Sequence, residues 1–243
     1  PNRFWDFPVE NQRNRAFTDV YEPGSTFKIV PVSGALNERI LDPLTRINCD
    51  APEVLFRDRR VSLPDDHKAM GIIPVATVVS RSSNRGAAQI GMMLGEERLY
   101  DYCRRFGFGE ETGYRGRGEI SGILHSPRNW DGLTISRLPA GYAVAATPAQ
   151  VHFAMSALAS GGVLMAPRVV RRVFDEEGRT VTVYPTRPRH RVVRPEVALR
   201  MAQLLTGVVR EGGTAPRAAI DGFEVAGKTG TSRKIVDGEY SHR

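Results

Sequence analysis

A chain of 243 residues with 41% hydrophobic content can bury one sizeable core, and no internal repeat or low-complexity tract competes with that reading. Its formal charge of +7 comes from arginine, but no aromatic interleaving or nucleic-acid motif accompanies it, which argues against DNA or RNA as a partner. Two cysteines, Cys49 and Cys103, are too few for a disulfide framework, none of the five histidines shares a metal-ligand spacing with them, and no apolar run reaches the length of a membrane span.

From the N-terminus, the turn residues Tyr21-Glu22-Pro23-Gly24 precede an apolar segment that predicts a buried helix over 25–37, with Ser25 at its start. Lys28, three residues on, shares a helix face with Ser25, so its amine is expected to reach that hydroxyl, and the helix N-terminus favours the neutral amine. A hydroxyl beside a neutral amine is a nucleophile. Pro31 lacks a backbone donor and predicts a local distortion. Further helices are expected over 74–80, 83–95, 97–105, 148–160 and 195–210, with Ser82-Ser83-Asn84 at the mouth of the 83–95 helix. Strands are expected over 168–174 and 179–184, a hairpin turning at Asp175-Glu176-Glu177-Gly178, and over 222–236, which carries Lys228-Thr229-Gly230-Thr231 towards an Asp237-Gly238 turn. Long helices with an antiparallel sheet late in the chain make an α+β fold.

Of the 34 lysines and arginines only four are lysines, and two of these sit in Ser25-Thr26-Phe27-Lys28 and Lys228-Thr229-Gly230-Thr231. A guanidinium cannot give up its proton in a protein, whereas an amine can, so scarce lysines placed in short signatures point to proton transfer and nucleophilic catalysis. A lone S-x-x-K arises by chance in about 0.2 of chains this size, but S-x-x-K, then S-x-N, then K-T-G in that order does so in roughly one per cent or less. That order is the one found in penicillin-binding proteins and serine β-lactamases. Gly222, Gly227, Lys228 and Thr229 also match the phosphate-binding G-x-x-x-x-G-K-T pattern. A phosphate loop must lead into a helix, and here Lys234-Ile235-Val236 continues as strand, so nucleotide binding is set aside. The histidines are scattered singly and form no triad, no metal or cofactor is expected, and both cysteines read as buried thiols.

Arg13-Asn14-Arg15-Ala16, Thr18-Asp19 and Glu22-Pro23-Gly24-Ser25-Thr26-Phe27-Lys28 resemble the transpeptidase domain of division-type (septal) class B penicillin-binding proteins. The likeness continues through Arg81-Ser82-Ser83-Asn84, Phe106-Gly107-Phe108-Gly109 with Thr112-Gly113, Gly141-Tyr142 before Thr147-Pro148, Gly161-Gly162 and Ala226-Gly227-Lys228-Thr229-Gly230-Thr231. The resemblance implies a penicillin-binding transpeptidase fold, an antiparallel sheet flanked by helices with a mostly helical subdomain. It implies one domain over 1–243, short at both ends, with the membrane anchor, pedestal domain, final strands and closing helix not included. It further implies cross-linking of peptidoglycan stem peptides through an acyl-enzyme on the outer side of a bacterial membrane. In such a site Ser25 attacks the D-Ala-D-Ala carbonyl, Lys28 takes its proton and Ser82 relays a proton to the leaving nitrogen. Asn84 binds the substrate backbone, Lys228 supplies positive potential, Thr229 and Thr231 hold the terminal carboxylate beside Gly230, and the N–H groups of Ser25 and Thr231 form the oxyanion hole. β-Lactams are expected to trap Ser25, and a membrane glycan polymerase and other division proteins are the implied partners. A D,D-carboxypeptidase, a serine β-lactamase or β-lactam sensor, and a non-catalytic scaffold stay open. The chain departs from the family at Tyr114-Arg115-Gly116-Arg117 and at Arg85, which reads as one more solvated arginine.

Overall fold

The computed structural model describes residues 3–66, 68–114, 116, 118–231, 234–236 and 239–241. The helices are α1 (Arg15–Thr18), α2 (Ile29–Asn37), α3 (Val75–Ser80), α4 (Asn84–Leu94), α5 (Glu96–Arg105), α6 (Thr134–Arg137), α7 (Pro148–Ala159) and α8 (Pro195–Val209). The strands are β1 (Arg46–Asn48), β2 (Glu53–Phe56), β3 (Arg59–Ser62), β4 (Ile72–Pro74), β5 (Val163–Met165), β6 (Arg172–Phe174), β7 (Thr180–Val183), β8 (Pro188–Arg191), β9 (Lys234–Val236) and β10 (Glu239–Ser241). They pair two by two and antiparallel: β1 with β4, β2 with β3, β5 with β8, β6 with β7 and β9 with β10. The fold is α+β.

Helix α2 lies at the centre because residues 29–36 are all buried, and a helix that is apolar on every side has no face to give to water. It packs against α4, α5 and α8. Gly34 permits the close approach of α5, since a Cβ at that position would lie 2.8 Å from the Tyr102 ring. Around α2 the side chains of Val78, Ile90, Leu99, Met201 and Val208 are each no more than 1% exposed, and such burial contributes about 1.5–3 kcal/mol per side chain. Helix α7 starts where the sequence says it should. Thr147 accepts the Gln150 N–H, Gln150 accepts the Thr147 N–H, and Pro148 fills the first position, where its missing donor costs nothing.

Three expectations are corrected. The helix predicted from Ser25 begins as a 3-10 turn, Gly24–Lys28, and becomes α-helical only at Ile29. Pro31 is thereby the third residue of α2, in the first turn, so the expected distortion is a change of pitch rather than a bend. The strand expected over 222–236 is absent over 222–231, where Phe223 makes a single bridge to Ile220 and only β9 is extended. A strand exists through its ladder, and among the described residues that segment has only this isolated bridge and a bond from Gly227 N–H to Leu205 O at 3.3 Å. Strands also pair singly instead of joining in one sheet. The hairpin expected over 168–184 is present in shortened form as β6 and β7, with Gly178 at φ +78° in its turn. The Asp237-Gly238 turn lies outside the described residues.

Candidate active site

The nucleophile turn, Gly24–Lys28, is held from two sides. On one side Tyr21 and Ala146 form an antiparallel bridge, Gly24 N–H donates to Gly141 O at 3.1 Å, and Ala143 N–H donates to Glu22 Oε1 at 3.1 Å. Burial holds the Glu22 carboxyl above its ordinary range, only partly countered by that bond. On the other side the K-T-G-T segment presses close: a Cβ on Gly24 would stand 2.6 Å from Thr231 O, and one on Gly230 would stand 2.7 Å from Thr26 Cγ2. Glycine at 24 and 230 is what lets the two backbones meet. Ser25 is half-buried between them.

Lys28 is 2% exposed, and its amine turns across to the Ser82–Asn84 turn. It lies 2.5 Å from Ser82 O, 3.1 Å from Ser82 Oγ and 2.7 Å from Asn84 Oδ1. The expected hydrogen bond to Ser25 is not made among the described residues. In a 3-10 turn the side chains at i and i+3 are stacked, but three acceptors wait on the S-x-N turn and the amine takes them instead. The Lys228 amine lies 2.8 Å from the same Ser82 Oγ and 3.1 Å from Thr229 O. One serine hydroxyl therefore bridges two lysines that stand 54 and 146 residues from it in the chain. Ser82 itself has φ +62°, an uncommon backbone for a residue with a side chain and a mark of a site over-determined by its surroundings.

Burial first and the Lys228 charge second hold the Lys28 amine well below its ordinary range, while Asp66 and Cys49 act the other way. Burial also brings Lys228 down to about 8. Two amines sharing one hydroxyl are thus both made easier to deprotonate than a free lysine, with burial as the first cause for each.

Asp66 is the residue that motif reading missed. It is buried, and its carboxylate accepts the Ser83 hydroxyl at 2.5 Å and the Asn84 backbone N–H. No motif marks it, for it is one aspartate in a polar loop. Thr214, also missed, shares a 2.7 Å hydrogen bond with the Thr229 hydroxyl. Arg85 is not the solvated arginine expected: its side chain is mostly buried, donating to Asp50 O at 3.1 Å and pairing with Asp65 at 2.6 Å. Cys49 and Cys103 are buried free thiols, as expected. The Arg13-Asn14-Arg15-Ala16 stretch closes on itself, with Asn14 capping α1 and both arginines paired with Asp19.

The model of the penicillin-binding protein transpeptidase domain matches residues 1–243. The chain belongs to that family. It is 32% identical over 241 residues to stage V sporulation protein D of Bacillus subtilis, covering 96% of this chain and 36% of that one. Against the peptidoglycan D,D-transpeptidase FtsI of Escherichia coli the identity is 28% over 244 residues, covering 100% of this chain and 39% of the relative. A crystal structure of penicillin-binding protein 3 of Mycobacterium tuberculosis complexed with aztreonam superposes with a TM-score of 0.81 at 30% identity, over 97% of this chain and 55% of that one. The chain thus spans about a third to a half of the length of these proteins. In this chain the three signatures lie together in space. Its described residues contain no helix long and apolar enough to cross a membrane.

Proposed function

We propose that this chain is the catalytic part of a serine-type peptidoglycan D,D-transpeptidase acting in septal wall synthesis on the outer side of a bacterial membrane. The observation that carries this reading is the convergence of Lys28 and Lys228 on Ser82 Oγ beside the Ser25 turn. Ser25 attacks the carbonyl of a D-Ala-D-Ala terminus. Its proton passes to Lys28, whose deprotonated form burial favours and whose amine swings back along its own turn from Ser82 to Ser25. Ser82 then donates its proton to the leaving nitrogen and is resupplied from the lysine on either side, and D-alanine departs. An amine of a neighbouring stem attacks the acyl-enzyme, forms the cross-link and frees Ser25.

Asn84 binds the substrate backbone and Lys228 sets a positive potential for its carboxylate, which Thr229 and Thr231 hold beside Gly230. The N–H of Ser25 lies in the first helical turn, where donors have no partner within the helix, and Thr231 passes against the same turn. Together they suit an oxyanion hole, each donor worth about 3 kcal/mol in the transition state. β-Lactams are proposed to acylate Ser25, and a membrane glycan polymerase and other division proteins are the proposed partners. Septal assignment rests on the Arg13-Asn14-Arg15-Ala16 signature and on the likeness to FtsI.

Intact-mass spectrometry after exposure to a penicillin tests the reading. One adduct on the wild type and none on Ser25→Ala is the expected result, and labelling that survives the substitution moves the nucleophile elsewhere.

A further inference from the structure

Asp66 lies in the loop after β3, 8% exposed, and both of its oxygens are committed to the S-x-N turn. Oδ2 accepts the Ser83 hydroxyl at 2.5 Å, Oδ1 accepts the Asn84 backbone N–H, and Ser83 Oγ in turn accepts the Gly86 N–H at 2.9 Å as the cap of α4. The preceding residue completes the hold. Asp65 O accepts the Asn84 amide at 2.8 Å, which fixes which end of that amide faces inward, and so leaves Oδ1 pointing at the Lys28 amine. Ser82, one residue before this clamp, is kept at its positive φ with its hydroxyl between the two lysines.

A buried carboxylate is costly unless it is hydrogen-bonded and faces positive charge, and Asp66 has both. The charged and titratable groups around the Lys28 amine are Lys228 from the K-T-G segment, Asp66 from the loop before β4, and Cys49 from the end of β1. Asp65 and Arg85 pair with each other nearby. Among these Asp66 is the group whose negative charge can stabilise a proton on Lys28 when it receives one.

We propose that Asp66 is a positioning residue of the acylation centre: its carboxylate clamps the Ser82–Asn84 turn against the Lys28 amine and offsets there the charge of Lys228. The inference rests on the transpeptidase reading, and the two fail differently.

The experiment compares wild type, Asp66→Asn and Asp66→Ala in the intact protein, following the second-order rate of acylation by a fluorescent penicillin from pH 5 to 9, with thermal unfolding in parallel. An asparagine can still accept the Asn84 N–H and donate to Ser83 Oγ, so Asp66→Asn keeps the clamp and removes the charge. Acylation needs neutral Lys28, so its rate rises with pH through the titration of that amine. Loss of a neighbouring negative charge makes the protonated amine less stable, and the acid limb of Asp66→Asn is expected about one pH unit lower than that of wild type. Asp66→Ala loses the clamp as well, and its plateau is expected to fall about 100-fold, the cost of misplacing catalytic groups by about an ångström. A merely structural aspartate moves the unfolding temperature and the plateau but not the limb. An Asp66→Asn limb that coincides with wild type overturns the proposal. Should Asp66→Asn not fold, Ser83→Ala decides: it deletes the Oδ2 bond and leaves the charge, and an unchanged plateau overturns the proposal. A wild type that takes no label on Ser25 defeats the transpeptidase reading itself and this inference with it.

Discussion

Gly141→Ala tests how the nucleophile turn is held. Gly141 has φ +87°, and a Cβ built on it would lie 1.9 Å from Gly24 O, 2.5 Å from Gly24 C and 2.7 Å from Gly24 Cα. These are backbone atoms, so no rotamer relieves the overlap, and carbon and oxygen must part by more than about an ångström to reach ordinary contact. Left-handed backbone costs a residue with a Cβ about 1–2 kcal/mol, and overpacking adds about 1–3 kcal/mol, so a loss of about 3 kcal/mol is expected. The displaced residue directly precedes Ser25. It cannot retreat, because Thr231 O closes in from the opposite side, 2.6 Å from the position of a Gly24 Cβ. Acylation is therefore expected to fall about 100-fold beyond what unfolding explains. Gly161→Ala is the control, with φ +65° and no atom within 4 Å of the added methyl. It should lose about 1 kcal/mol and acylate at the wild-type rate. Urea titration gives the stabilities and a fluorescent penicillin the rates. If Gly141→Ala matches Gly161→Ala in both, the turn is not clamped as described.

Lys28→Arg installs a permanent cation that cannot accept a proton, and acylation is expected to drop by about 10²–10⁴-fold in stopped-flow measurements; a near wild-type rate removes Lys28 as the base. Stability should also rise with pH between about 8 and 9. Lys228 is held at about 8 in the fold against 10.5 unfolded and Lys28 is lowered as well, so the unfolded chain binds more protons across this window. Above pH 9 the thiols of Cys49 and Cys103, and above pH 10 the phenols of Tyr21 and Tyr102, all raised by burial, oppose and then reverse the slope. Urea midpoints that stay flat or fall from pH 8 to 9 contradict the burial assigned to these amines.

The parts of the site that were legible in the sequence are those where chemistry dictates the residue type at short spacing. S-x-x-K, S-x-N and K-T-G each fit within one turn, and helices such as α4, α5 and α8 announce themselves through burial periodicity and caps like Ser83. Sheet partners are set by segments far apart in the chain. The β5–β8 pair joins residues 163–165 to 188–191 around an intervening hairpin, and short apolar runs do not say which of them will meet. The β2–β3 hairpin turns at Arg57 and Asp58, at φ 48° and 63°, without the Asn-Gly or Asp-Gly pair that marks such a turn. Asp66 was invisible for a different reason: its partners are a hydroxyl and a backbone N–H on another element, and nothing in its neighbours encodes them.

The scarcity of lysine and the geometry of the site have one physical explanation. Two cationic groups brought to one hydroxyl in a buried place repel each other, so the second proton is harder to add than the first and the pair titrates together. With guanidinium groups both charges would persist at any accessible pH, and the pair would carry uncompensated repulsion and no base. With amines the burial itself resolves the conflict. The deeper one, Lys28, is held well below its ordinary range and the shallower one, Lys228, is brought to about 8, so one residue type can serve as base and as cation at the same hydroxyl. The desolvation that makes these lysines unfavourable for stability is thus what separates their roles, and a more open cleft would leave both amines charged and Ser25 without a base.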